Sequence, residues 1–174
     1  MSEILENIKT RRSARNYKPD AIPEEDLSRI IEAGLYAASG MNRQDTIIIA
    51  VTNKELRDKL MRMNASIIGR EASDPFYGAP VILIVLAKKD VPTHIYDGSL
   101  VIGNMMLEAH ELGLGSCWIH RAKEEFESAE GKEILKSLNI DGEYEGIGHL
   151  AVGYVCGNYT ETHEIKKGRV FFVK

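Results

Sequence analysis

Val81-Ile82-Leu83-Ile84-Val85-Leu86 is an unbroken apolar stretch that follows a turn marked by Asp74-Pro75. A strand with one wet face alternates apolar and polar residues, whereas a strand covered on both faces does not. These six residues are therefore expected to run through the middle of a sheet with helices above and below it.

Upstream, Thr46 to Val51 is a β-branched run bounded by polar residues and is expected to be a second strand. Asn53 suits the N-cap of a following helix through Met63. Before that strand, Pro23 suits the first position of a helix on which Leu27, Ile30, Ile31, Gly34, Leu35 and Ala38 recur with helical period, ending near Ser39-Gly40. Residues 3–10 place Ile4, Leu5 and Ile8 on one helical stripe, and Arg11-Arg12-Ser13-Ala14-Arg15 follows directly. Downstream, an apolar helix is expected from Asp97 to Leu112, stopped by Gly113, and then a short strand from Ser116 to Ile119. A charged helix from Ala122 to Leu138, weakened at Gly131, leads to a buried strand at Ile147 to Val155 and a strand-like tail, Arg169-Val170-Phe171-Phe172-Val173. Helices before, between and after strands imply three layers around a mixed sheet.

A length of 174 residues with 44% hydrophobic content accommodates a single domain, 1–174, with a real core. A net charge of −4 provides no global field to draw the chain to nucleic acid or to an anionic membrane surface. No apolar run approaches the roughly 20 residues that cross a bilayer, and the N-terminus lacks a signal core, so a cytoplasmic protein is expected. Cys117 and Cys156 are far apart and the five histidines share no metal-ligand spacing, so reduced thiols and no metal site are expected.

Four segments bear chemistry. Arg11, Arg12, Ser13 and Arg15 bring three guanidinium groups and a hydroxyl into one turn of chain, which suits a phosphate and equally suits a solvated helix end. Ser39-Gly40-Met41-Asn42-Arg43-Gln44 is a polar loop whose amides offer donors and acceptors together, as the edge of a flavin pyrimidine does. Leu112-Gly113-Leu114-Gly115-Ser116-Cys117-Trp118-Ile119 has its glycines between helix and strand, the reverse of a dinucleotide fingerprint. Trp118 there is a core side chain or a site wall. Lys166, Lys167 and Arg169 precede the terminal strand-like tail, where a solvated surface is the plain alternative. No nucleophile elbow, P-loop or glycosidase-type carboxylate pair is present.

In this order the segments resemble the FMN-dependent nitroreductase family, from about Ile8 to the C-terminus. The opening Arg-Arg-Ser-x-Arg motif is matched by Arg11, Arg12, Ser13 and Arg15. A second motif is matched at Ala37, Ser39, Asn42 and Gln44, with Ala38, Asp45 and Thr46 standing where the family commonly has proline, proline and tryptophan. Asp74 to Pro80 resembles the family's approach to its central strand, and Gly113 to Ile119 its Gly-Leu-Gly-Ser-Cys-Trp-Ile run. His120 and Arg121 replace the usual glycine.

The resemblance implies an α+β fold of three layers, α/β/α, whose C-terminal strand is exchanged within a homodimer. It implies FMN as cofactor and NADH or NADPH as co-substrate. Ping-pong hydride transfer would pass through flavin N5 to a nitroaromatic, quinone or similar small-molecule acceptor. By resemblance Arg11, Arg12, Ser13 and Arg15, completed by Lys166, Lys167 and Arg169, grip the phosphate. Ser39, Gly40, Met41, Asn42, Gln44, Asn64, Trp118 and Ile119 surround the flavin, and the backbone at His120 and Arg121 faces N5. No side chain acts as catalyst in this picture, because the cofactor carries the chemistry. A flavin-binding redox sensor, a reductive dehalogenase and a flavin oxidase share the fold and are the alternatives.

Overall fold

The computed structural model describes residues 2–157 and 164–174. Four strands, β1 (Thr46–Val51), β2 (Val81–Lys88), β3 (Gly115–Ile119) and β4 (Tyr144–Gly153), make a sheet in the order β1-β2-β4-β3. β2 is an interior strand, as its composition requires, and every residue from Val81 to Ala87 is buried. Ile82, Ile84 and Leu86 point to one face and pack with Leu60, Phe76, Ile119 and Phe126. Val81, Leu83, Val85 and Ala87 point to the other and pack with Ile30, Val101, Ile102 and Met105. Each fully buried Leu or Ile stabilises the fold by roughly 1.5–3 kcal/mol over its exposed state.

Helices cover both faces: α2 (Glu24–Leu35) and α4 (His94–Glu111) lie on one, and α3 (Lys54–Ile67), α5 (Ala122–Glu127) and α6 (Ala129–Ser137) on the other. This is the expected three-layer arrangement. α4 runs close over the sheet because Gly98 has no side chain: a Cβ there would stand 2.5 Å from Ile147 Cγ1 of β4. Asn53 caps α3 as expected, its side chain accepting from Leu56 N at 2.9 Å. On the far face, α5 is pinned to β4 by Glu125 and His149, both fully buried, with Oε2 and Nε2 2.8 Å apart.

Several expectations are corrected. The four strands pair only antiparallel, and the parallel pairing that is present is an isolated bridge between Ser13 and Ser116. A helix between strands suggests a parallel crossover. Here, though, residues 68–80 carry the chain back along the sheet before β2 begins. α4 starts at His94 rather than Asp97. The charged helix breaks at Ser128, whose extended backbone and Oγ, accepting from Gly131 N at 3.0 Å, start a new helix. Residues 169–173 form no strand within the single chain, and Val170, Phe171, Phe172 and Val173 are 70%, 87%, 83% and 101% exposed. The sequence between Gly157 and Gly168 that leads to this tail is polar, and residues 158–163 of it lie outside the described residues. No helix among the described residues is long and apolar enough to cross a membrane.

Candidate functional site

α1 (Glu3–Thr10) buries none of its residues and is tethered to the C-terminal end of α4. Asn7 Nδ2 donates to Leu107 O and Glu111 Oε2, and Thr10 Oγ1 lies 2.8 Å from His110 Nε2. The chain then lies along the start of β3, with Ala14 N donating to Ser116 O at 2.9 Å. Within this turn the basic residues divide. Arg12 Nη1 donates to the carbonyls of Lys9 and Arg11, the last turn of α1. Arg11 is half-buried, and its Nη1 is shielded from solvent with no hydrogen-bond partner among the described residues.

A buried guanidinium nitrogen without an acceptor costs on the order of 1–3 kcal/mol, and an anion would relieve that cost. Burial lowers the Arg11 pKa, Arg12 pushes the same way, and Cys117 opposes. Burial likewise raises the Cys117 thiol pKa, against the pull of Arg15, Ser13 and Arg11.

His110 reports the same positive potential. Burial lowers its pKa from the ordinary 6.5, and the nearby Arg11 lowers it further. A base weakened by folding binds fewer protons in the native chain than in the unfolded one once the pH drops below 6.5. Stability should therefore fall as pH falls through that value towards the folded-state pKa. Denaturant midpoints measured on either side of it should show this slope, and His110→Gln should flatten it. Identical slopes for both proteins would refute the assignment.

β3 leads from the basic turn to a cavity of about 570 Å³. Trp118, Ile119, His120 and Arg121 form one wall, and Ile68, Arg70, Asp74, Pro75 and Tyr77 form most of the other. The Trp118 indole crosses Gly148, where no Cβ would fit, so it is both core and cavity wall. Asn64, fully buried, organises the turn after β3: its Nδ2 donates to His120 O at 3.0 Å, and its Oδ1 accepts from Arg121 Nε at 2.9 Å. Arg121 adopts the left-handed region at φ 80°, which costs a non-glycine residue about 1–2 kcal/mol. The Asp74 carboxylate is consumed by Arg57, Phe76 N and Gly78 N, which fix the opposite loop with Tyr77 also left-handed at φ 56°.

The polar loop 39–44 is at the other end of α4. Gly40 N donates to Asp97 Oδ1 at 3.1 Å, and Thr93 holds the second oxygen of that buried carboxylate. Within the loop Ser39 Oγ accepts from Gln44 N, and Gln44 Nε2 donates to Asn42 Oδ1. Met41, Asn42 and Gln44 all have positive φ, and Met41 is 87% exposed. The side chains of the loop bond mainly to one another, Arg43 Nη2 lying 3.7 Å from Met41 Sδ, and the loop faces outward.

Geometry thus separates the expected site residues into groups. Arg11, Ser13 and Arg15 at the start of β3 are on one edge with Trp118, Ile119, His120, Arg121 and Asn64. Ser39 to Gln44 precede β1 on the opposite edge. Asp97 and His110, which touch the two regions, are about 20 Å apart along α4 at a rise of 1.5 Å per residue. The sheet adds about 14 Å across three strand spacings. Lys166, Lys167 and Arg169 are exposed on the tail. Arg70, Asp97 and His110 had no motif to mark them, and Tyr77 lies in the Asp74–Pro80 stretch that signalled the loop shaping the cavity.

The Nitroreductase family model matches residues 8–154, and the chain belongs to that family. A crystallised nitroreductase with bound FMN from Bacteroides fragilis is 32% identical, superposes with a TM-score of 0.89 and covers 100% of both chains. A Bacillus subtilis FMN reductase (NAD(P)H) is 33% identical over 169 residues, 95% of this chain and 59% of that protein. A Methanothermobacter thermautotrophicus relative is 32% identical over 120 residues, 67% of this chain and 60% of that protein. The chain thus matches about three fifths of the length of these two curated relatives.

Proposed function

We propose that this chain is an FMN-dependent oxidoreductase that takes hydride from NADH or NADPH and passes it to a nitroaromatic, quinone or similar electron-poor acceptor. The half-buried Arg11 with its unpaired Nη1 carries the reading, because it needs an anion where β3 begins. A phosphate fits that place. Arg11, Ser13 and Arg15 hold it by charge-assisted bonds, and Lys166, Lys167 and Arg169 close over it from the tail. When bound, FMN supplies the hydride chemistry.

The remaining residues position and insulate. Trp118 and Ile119 would provide a wall for the flavin, Asn64 fixes the peptide between His120 and Arg121, and the backbone amides there would hold the reactive edge of the ring. Reduced Cys117 and Cys156 agree with a cytoplasmic setting.

The site needs two copies of the chain. A loop separated from Arg11 by the length of α4 and the width of the sheet meets a flavin at Arg11 only if it comes from a second subunit. Asn42 and Gln44 of one copy then reach the pyrimidine edge of the flavin held by the other. Exposed apolar side chains supply the interface: Ile4 and Ile8 on α1, Tyr36, Met41, and Ile95, Tyr96 and Leu100 on α4.

The purified protein should be yellow, release FMN on denaturation and oxidise NADH or NADPH when menadione is added. A colourless protein that takes up no added FMN would remove this reading. A yellow protein that oxidises neither nicotinamide would be a flavin binder instead.

A further inference from the structure

We propose that the cavity at the end of β3 selects acceptors bearing a carboxylate, gripped by Arg121 and Arg70. The inference rests on the reading that the acceptor is reduced in this cavity and adds the class of molecule it admits. Its first support is charge balance. Arg70, Arg121 and Asp74 all line the cavity, and the only one of them with an opposite charge to meet is Asp74, through Arg57. Among the described residues neither Arg70 nor Arg121 has a carboxylate within ion-pair distance. The cavity therefore has two uncompensated guanidinium groups, and a concave wall concentrates their field.

The second support is backbone strain. The turn at Arg121 has a φ of 80°, a conformation that glycine adopts freely, yet arginine occupies it. Such a conformation persists where its surroundings enforce it, and a left-handed arginine at a cavity is a mark of function. Asn64 takes the Arg121 Nε and leaves the forked Nη pair for a ligand. A carboxylate matches that fork in a way a quinone oxygen does not. About 570 Å³ is within the usual range for a small-molecule pocket.

The test compares 4-nitrobenzoate with 4-nitrobenzamide, which share ring and shape and differ in charge, on FMN-loaded protein. The acid is expected to show kcat/KM at least about tenfold above the amide, the difference between a charge-assisted and a neutral hydrogen bond. Arg121→Gly, which suits the left-handed turn and so preserves the fold, should bring that ratio close to one. Arg70→Gln should reduce it. Calorimetry with the non-reducible pair benzoate and benzamide on oxidised holoprotein should show the same preference without turnover. Equal values for acid and amide in the parent protein would overturn the proposal.

So would an acid-to-amide ratio that survives Arg121→Gly while flavin reduction by NADPH, but not by NADH, becomes slower. That result would give the cation to a phosphate of the donor. If neither nicotinamide bleaches the flavin anaerobically, the proposed function fails, and the benzoate calorimetry still decides the anion site.

Discussion

Removing residues 158–174 should abolish dimerisation and FMN binding together. Val170, Phe171, Phe172 and Val173 find no cover within their own chain. The chain exposes 10960 Å². A compact monomer of 19.4 kDa would expose about 8500 Å². A tail left uncovered by its own chain contributes to that excess.

Each of the four apolar side chains would contribute roughly 1.5–3 kcal/mol if a partner buried it, so two exchanged tails would constitute a large part of an obligate interface. The same cut removes Lys166, Lys167 and Arg169, and a lone chain cannot bring loop 39–44 to Arg11. Light scattering and FMN titration on the truncated protein check both consequences. A truncated dimer retaining stoichiometric FMN would show that the tail does neither. Phe171→Asp with Phe172→Asp, which keeps the basic residues, should reproduce the dissociation.

Replacing Arg11 and Arg15 with alanine should weaken FMN binding at least about a hundredfold, at 1.5–3 kcal/mol for each charge-assisted bond lost. The fold should survive. Arg15 is exposed, and removing Arg11 also removes a shielded nitrogen that has no partner in the free chain. Riboflavin, which lacks the phosphate, should bind the parent and the double variant with similar affinity. Unchanged FMN affinity, with circular dichroism showing an intact fold, would place the phosphate elsewhere. An equal loss for FMN and riboflavin would assign the arginines to the ring.

Local pattern made much of this legible. The unbroken apolar stretch at Val81–Leu86 could only be an interior strand, because burial on both faces leaves no position for a polar side chain. Asn53 announced its helix through a hydrogen bond to the backbone three residues on. The basic turn Arg11 to Arg15 was legible because its residues are neighbours in the chain, as were Trp118 to Arg121 at the end of one strand.

What the sequence could not express is distance across the fold. Nothing near Asn64 says that its amide holds a turn 56 residues later. Nothing near Arg70 says that it shares a cavity with Arg121, and the mixed sheet expected from the intervening helices proved antiparallel because residues 68–80 return the chain before β2. The deepest such fact is the separation of Ser39–Gln44 from Arg11–Arg15. In sequence they look like successive parts of one binding motif. A rigid helix and three strand spacings keep them apart within one chain, and only the tertiary structure reveals that separation, because neither the helix direction nor the strand order is written in the local pattern.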